Sequence, residues 1–143
     1  MIKVTTLDKE FIERKLDAIT LYDERAEQIL QSSESEILAD FLKLHSLERL
    51  IQLIVDEMVD INTHIIRHGN FETPDDFQSS FRVLADADVF PHKFADQIAP
   101  TVGLRNRLVH RYDSVNPDVL IRMSKKEADD FRAYVKYIRA VLF

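Results

Sequence analysis

The sequence has no cysteine, and only two glycines and four prolines occur among its 143 residues. The lack of cysteine excludes disulfides, thiolate metal ligands and a thiol nucleophile, as is typical of a cytoplasmic protein. Because glycine and proline are scarce while Leu, Ile, Glu, Asp and Lys are abundant, the composition favours helices over sheets. No apolar run of about 18 residues and no basic segment followed by an apolar run is present. We therefore expect neither a membrane span nor an export signal, and predict a cytoplasmic protein.

Basic residues are also fewer than acidic ones, 19 against 25, which gives a net charge of -6. This balance argues against a protein that holds nucleic acid through bulk electrostatics. The charges are unevenly distributed, because residues 1–100 carry 10 Lys/Arg and 20 Asp/Glu, whereas residues 101–143 carry nine and five. We expect any contact with a polyanion in the last third. Gly69 and Gly103 stand apart, so the chain has no Gly-rich phosphate loop and the kinase, NTPase and dinucleotide classes are excluded.

Apolar residues that recur every three to five positions predict a first helix from Leu7 to Leu30. Ser33 and Glu36 have the spacing of a capping box, which predicts a second helix of about 50 Å that stops at Gly69. The apolar face of this helix is wider than one stripe. Such a face suits either a central position or burial in a dimer, and the pattern leaves both open.

Further start signals occur at Thr73-Pro74, at Pro91, at Asn116-Pro117 and in a second capping box formed by Ser124 and Glu127. Pro100 lacks an N–H group and is expected to kink or restart the helix that begins at Pro91. The loops between these segments are short, which favours antiparallel neighbours. We predict an all-α fold, a single antiparallel bundle of five or six helices that forms one domain over residues 1–143.

The segment with the most distinctive chemistry is residues 105–112, which reads RNRLVHRY. Three arginines bring phosphate-binding groups beside a histidine, which titrates near neutral pH. Another interpretation places Leu108 and Val109 in the core, leaves the arginines solvated and makes His110 and Tyr112 half-buried packing residues. The residue types alone do not decide between the two.

Arg105, His110 and Tyr112 form an Arg-x4-His-x-Tyr string, which resembles the signature of HepT-like toxins of the HEPN family. The resemblance implies an endoribonuclease that needs no metal or other cofactor and acts on RNA rather than on DNA or at a membrane. It also implies a homodimer and a partner, an MntA-type nucleotidyltransferase antitoxin, which silences the toxin by adding AMP to Tyr112. One alternative is a non-catalytic HEPN subunit that binds substrate or nucleotide for a nucleotidyltransferase. Another is an interaction domain with a decayed motif.

The resemblance assigns roles to the residues around the motif. Arg105 and His110 would be catalytic, and Asn106 would support them. The phosphate-binding chemistry of arginine predicts that Arg107 and Arg111 bind RNA. The histidine, with an unperturbed pKa of about 6.5, can take the proton of a ribose 2'-hydroxyl or protonate the leaving 5'-oxygen. The arginine can hold the phosphate and stabilise the additional charge of the transition state. The expected products are a 2',3'-cyclic phosphate and a 5'-hydroxyl end.

Helix geometry limits how these groups can meet. At 100° per residue, Arg105 and His110 lie about 140° apart on an ideal helix. The helix must therefore end or distort near His110, or two subunits must contribute to one site. The resemblance implies the second arrangement, in which a two-fold interface brings both copies together.

Asp60, His64 and His68 share one helical face and could in principle clamp zinc. No convincing further ligand is present, and we predict no metal site. Glu57, Asp60 and Asn62 can either support a groove from the long helix or form an exposed face.

Overall fold

The computed structural model describes residues 7–110 and 115–143, and these residues form helices without any strand. The helical segments are α1 (Lys9–Leu30), α2 (Glu34–Ala39), α3 (Phe41–His68), α4 (Ser80–Asp86), α5 (His92–Ile98), α6 (Pro100–Val109) and α7 (Pro117–Leu142). A single residue, Ala99, separates α5 from α6, because Pro100 restarts the helix as expected. With this pair taken as one interrupted helix, the described residues form six, and the predicted all-α bundle is confirmed.

The first two predicted helix starts are present, but the second helix is much shorter than expected. Ser33 caps α2, since its hydroxyl accepts the Glu36 N–H at 3.2 Å. The prediction of one continuous helix from there to Gly69 is wrong, because the chain is extended at Asp40. The Asp40 carboxylate accepts the N–H groups of Leu42 and Lys43, and so begins α3. The remaining 28 residues form a helix of about 42 Å.

The helix start predicted at Thr73-Pro74 is also wrong, since α4 begins only at Ser80. The Asp76 carboxylate accepts the Ser79 N–H at 2.7 Å, so this acid stabilises a turn rather than a first helical turn. Residues 71–79 consequently cross the end of α3 as an irregular segment.

The capping box predicted at Ser124 and Glu127 is wrong as well, because both residues lie inside α7 and are buried. The Ser124 hydroxyl donates to the Leu120 carbonyl one turn earlier, at 2.7 Å. The true cap is Asn116, whose side chain accepts the Asp118 N–H at 3.0 Å. The prediction of a helix start at Asn116-Pro117 is therefore confirmed.

Helix α3 occupies the centre of the bundle and contacts α1, α2, α4, α6 and α7. Its position explains the wide apolar face that the sequence shows. The fully buried apolar side chains of α3 are Leu47, Ile54, Val55, Met58, Ile61 and Ile65. Lys15 of α1 lies 3.1 Å from Glu57 and 2.9 Å from Asp60. The Asp8 N–H at the start of α1 donates to His64, further along α3, so α1 runs antiparallel to α3.

Helix α7 pairs its arginines with the acids of the first helices. Arg139 contacts Glu13 at 2.7 Å and Asp17 at 3.0 Å, and Arg132 contacts Asp23 and Glu27. Burial raises the pKa of Asp23 to about 6, although the Arg132 charge acts in the opposite direction. Part of the positive charge of the last third is thus paired with acids of the first third at the partly exposed contact between α7 and α1.

A buried polar network connects α7, α3 and the irregular segment. The Tyr134 hydroxyl donates to Asn62 Oδ1 at 2.6 Å, and Asn62 Nδ2 donates to Ser80 Oγ at 3.0 Å. The Ser80 hydroxyl in turn donates to the Phe77 carbonyl at 2.5 Å. Asn62 is fully buried, so of the two interpretations of this residue the exposed face is wrong.

No helix within residues 7–110 and 115–143 combines the length and the apolar character that crossing a membrane requires.

Candidate active site

Arg105 is held against the central helix by a carboxylate. Its Nε donates to Asp56 Oδ1 at 2.7 Å, and its Nη1 donates to Asn106 Oδ1 at 3.2 Å. A guanidinium carries five N–H donors in a fixed plane, so the other donors, on the two Nη atoms, can bind a further acceptor. The side chain is 31 % exposed, which leaves that edge accessible. The contact therefore fixes the direction of Arg105 without enclosing it.

Arg105 and Asn106 line a cleft of about 320 Å³ between α3 and α6, which we call the arginine cleft. Asp60 and Phe77 also line it. Partial burial lowers the pKa of Lys15, but hydrogen bonds to Asp60 and Glu57 outweigh this effect and raise it. Lys15 therefore stays protonated beside Asp60 and offsets its charge within the cleft.

His110 stands where the helix stops. Helix α6 ends at Val109, and the backbone of His110 is extended, with φ -90° and ψ 102°. Its N–H still donates to the Asn106 carbonyl at 3.0 Å, so it caps the helix, and its side chain is exposed. The helix thus ends near His110, which is one of the two arrangements that the 140° separation allows. Of the alternative interpretation, core packing is wrong for Val109, which is 41 % exposed, and for His110, whereas Leu108 packs partly buried against the core.

The remaining motif residues divide into those the structure describes and those it does not. Arg107 is exposed near the end of α6 and has no ion pair among the described residues. Arg111 and Tyr112, predicted to bind RNA and to be modified, lie outside the described residues. Arg105, Asn106, Arg107 and His110 therefore share the second half of α6 and its cap.

The face of α3 that carries Asp60, His64 and His68 makes contacts with the start of α1 rather than with a metal-ligand set. His64 Nε2 accepts the backbone N–H of Asp8 at 3.1 Å, and its ring lies 4.8 Å from Phe11 and 4.3 Å from His68. Burial lowers the pKa of His64, and the charge of His68 lowers it further. Within the described part of the chain, no three His, Asp or Glu side chains are placed to hold a metal ion. His64 instead connects the start of α1 to α3.

Sequence reasoning missed Asp56 and Phe77. Asp56 contacts Arg105 across 49 positions, and nothing in the local pattern distinguishes this acid from a solvated one on a helix face. Phe77 was missed because residues 73–87 read as an amphipathic helix, in which an apolar residue is expected to point inward. The structure leaves Phe77 58 % exposed.

A helical bundle that presents an arginine and a histidine at the end of one helix has the arrangement of a HEPN protein. Residues 19–138 match the family model described as Ribonuclease HepT-like. The chain therefore belongs to the ribonuclease HepT-like family, and the resemblance inferred from the motif is confirmed.

Two curated relatives are similar to the chain over nearly its whole length. The tRNA nuclease HepT of Aphanizomenon flos-aquae is 31 % identical, and the alignment covers 97 % of this chain and 95 % of the relative. The mRNA nuclease HepT of Shewanella oneidensis is 27 % identical, with 92 % and 98 % covered. Both relatives are nucleases, as the sequence predicted for this class.

Solved structures with the same fold include two toxin–antitoxin assemblies. The tri-AMPylated HEPN toxin of Shewanella oneidensis, in complex with the MNT antitoxin, superposes with a TM-score of 0.83 at 27 % identity, covering 91 % of this chain and 97 % of that one. A toxin–antitoxin crystal structure with AMP-PNP gives a TM-score of 0.84 at 26 % identity, with 92 % and 98 % covered. These similarities extend over all of the helices that carry the candidate site.

Proposed function

We propose that this chain is the toxin of a toxin–antitoxin pair, a cytoplasmic endoribonuclease whose catalytic residues are Arg105 and His110. The observation that carries the proposal is the placement of Arg105. Asp56 holds it at 2.7 Å beside an open cleft, five positions before the exposed His110 at the helix end. Membership of the ribonuclease HepT-like family supports the same conclusion.

The chemistry follows from the two side chains. Arg105 binds the phosphodiester through its Nη donors and stabilises the charge that builds up on the phosphorus oxygens. His110 removes the proton of the 2'-hydroxyl, which attacks the phosphorus, or protonates the departing 5'-oxygen. The bond to the 5'-oxygen breaks and a 2',3'-cyclic phosphate forms. Side chains supply every proton transfer in this scheme, so no metal ion is required.

We further propose that the working site lies between two copies of the chain. In an in-line displacement the attacking 2'-oxygen and the leaving 5'-oxygen lie on opposite sides of the phosphorus, so a single histidine cannot serve as base to one and as acid to the other. A two-fold interface that joins the ends of two α6 helices would supply two histidines and two arginines. The exposed Val109 beside His110 gives such an interface an apolar contact.

The proposed regulation is modification of Tyr112 by an MntA-type nucleotidyltransferase antitoxin. The relative from Shewanella oneidensis that is AMPylated and bound to its MNT antitoxin supports this extension. AMP on the phenolic oxygen would add bulk and negative charge two residues after His110. The phosphate of this AMP would bind the arginine side chains that would otherwise bind RNA.

The test is cleavage of RNA by the purified chain without added metal and in excess EDTA. Arg105→Ala and His110→Ala should each lower the rate by at least about 100-fold, because each removes a group that acts in the transition state. His92→Ala is the matched control, since His92 is an exposed histidine that pairs with Asp86 away from the arginine cleft. Mass spectrometry should find 2',3'-cyclic phosphate ends, and 5'-phosphate ends would contradict the mechanism.

Mixing wild type with His110→Ala tests the shared site. If both histidines of a dimer serve one site, the mixed dimer should be nearly inactive, whereas two independent sites would leave it about half of the wild-type rate. Incubation with the antitoxin and ATP should add AMP to Tyr112, and Tyr112→Phe should abolish this gain in mass. A wild-type chain that binds RNA tightly but never cleaves it would favour the non-catalytic alternative.

A further inference from the structure

A second cleft, larger than the arginine cleft, lies beside it. It has a volume of about 640 Å³ between the end of α3 and the irregular segment that follows. The residues with distinctive chemistry in its lining are Arg67, Phe71, Asp75, Asp76, Phe77 and Ser80. A cleft of this size falls in the range that encloses small organic groups. We call it the base cleft.

The two clefts adjoin each other at Phe77, which lines both of them. A phosphodiester held by Arg105 would therefore have a neighbouring nucleotide within reach of the base cleft. The larger cleft is thus part of the surface that a bound strand would cover.

Phe77 has the features of a stacking platform. Its side chain is 58 % exposed, although a phenylalanine of this size normally gains stability by burial. Its backbone is nevertheless fixed, since its carbonyl accepts the hydroxyl of Ser80, which binds the fully buried Asn62. An exposed ring on an anchored backbone suits the flat face of a nucleobase, and such stacking contributes substantially to the binding of single strands.

The charges of the base cleft suit a base rather than a phosphate. Hydrogen bonds from Ser79 lower the pKa of Asp76, so this carboxyl is ionised near neutral pH. A phosphate in the cleft would meet Asp75 and Asp76 with one guanidinium, Arg67, to offset them. The ring and amino N–H groups of a base can instead donate to the carboxylates. Arg67 has no ion pair among the described residues and can donate to base oxygen or nitrogen atoms.

We infer that the base cleft binds the nucleobase next to the cleaved phosphodiester, with Phe77 stacked on its face, and that it favours guanine over uracil. Guanine has adjacent N1–H and amino donors for a carboxylate and the acceptors O6 and N7 for an arginine. Uracil has one ring N–H donor and no amino group. The inference rests on the proposed ribonuclease function and adds the source of its base preference.

The test compares the full-length wild type with Phe77→Ala on short RNA oligonucleotides that have an abasic nucleotide at each position around the cleavage site in turn. On the intact oligonucleotide, Phe77→Ala should lower kcat/KM by about tenfold. At the one abasic position that empties the base cleft, wild type and variant should cleave equally. Phe41→Ala is the matched control, because Phe41 is exposed to 68 % at the start of α3 and lies outside both clefts.

A second variant tests the base preference. Replacing uracil by guanine at the identified position should raise the wild-type rate severalfold, and Asp75→Asn should reduce that ratio towards one.

If the wild type cleaves RNA but Phe77→Ala loses the same factor on every abasic oligonucleotide, the inference is wrong and the proposed function stands. If Phe77→Ala cleaves normally but no longer binds the antitoxin, the cleft is a protein contact and the inference is equally wrong. A wild type that cleaves no RNA removes the proposed function itself.

Discussion

Glu127 is a buried acid in the middle of α7, and its replacement by glutamine should stabilise the protein above neutral pH. The side chain is 4 % exposed, and within the described residues Oε2 has no hydrogen-bond partner. Burial raises the pKa of Glu127 from 4.5 to about 8, and the neighbouring Asp130 contributes in the same direction. The folded protein therefore holds a proton that the unfolded chain releases at lower pH.

The sign and the size of the effect follow from this difference. The folded pKa lies above the unfolded one, so the stabilisation is complete below pH 4.5 and is lost as the pH rises to about 8. At about 1.4 kcal/mol per pH unit, the loss has an upper limit of about 5 kcal/mol. Local relaxation and water entry reduce such penalties, and we expect about 3 kcal/mol between pH 5 and 8.5.

Urea unfolding of wild type and Glu127→Gln at pH 5, 6, 7, 8 and 8.5 measures this directly. The difference in the free energy of unfolding should be near zero at pH 5, because glutamine resembles the protonated acid. It should reach about 3 kcal/mol in favour of the variant at pH 8.5. Glu72→Gln makes the same charge change at an exposed position and should give a flat difference. A flat profile for Glu127→Gln, or a variant that is less stable at pH 8.5, would refute the reasoning.

Two further predictions concern the groups that hold the clefts in shape. Asp56→Asn should lower kcat by about 10- to 100-fold with little change in KM, because Arg105 loses the partner that aims it, and Asp56→Glu should restore part of the rate. A reduced KM with unchanged kcat would show instead that Asp56 competes with RNA for Arg105. Tyr134→Phe should lower the free energy of unfolding by about 2 kcal/mol, measured by urea unfolding, because Asn62 then loses a buried donor. Tyr137→Phe should change it little, since the Tyr137 hydroxyl has no hydrogen bond among the described residues, and an equal loss in both variants would contradict the network's role.

The sequence predicted the elements whose signals are local. The bounds of α1, the stop at Gly69 and the start at Pro117 depend on periodicity and on caps, which the chain carries within a few residues of each end. The break at Asp40 had a local signal too, a capping acid, but the apolar pattern continues through it. Periodicity therefore outweighed the cap and gave one helix where the structure has two.

The helix starts predicted at Thr73-Pro74 and at Ser124 are wrong for one physical reason. A capping sequence shows only that a side chain is able to cap a helix, and it does not determine that a helix begins there. Asp76 follows a favourable start sequence but binds the N–H of Ser79, and the buried Asn62 fixes Ser80 from another helix. Ser124 sits where α7 packs on the bundle, so its hydroxyl bonds within the helix. Tertiary packing decides these positions, and no window of sequence contains it.

The candidate site likewise combines residues that have a local sequence signal with a residue whose role depends on tertiary packing. The motif identified Arg105 and His110 as candidates, and helix geometry predicted that the helix ends or distorts near His110 or that two subunits share the site. Neither could identify Asp56, whose contact with Arg105 depends on how α6 lies against α3. The charge excess of the last third was partly misread, because Arg132 and Arg139 pair with acids of α1.

The ion pairs between the arginines of α7 and the acids of α1 limit how the protein can bind RNA. In a chain of net charge -6, Arg132 and Arg139 of α7 pair with acids of α1, which leaves fewer cations to contact phosphates. This argues against binding through many phosphates as the main source of affinity. On the proposed mechanism, affinity comes from a small number of oriented contacts, Arg105 with one phosphate and Phe77 with one base, together with the second protomer of the proposed dimer. The proposal therefore predicts selectivity for particular RNAs rather than high general affinity, because each of these contacts depends on the geometry of the strand.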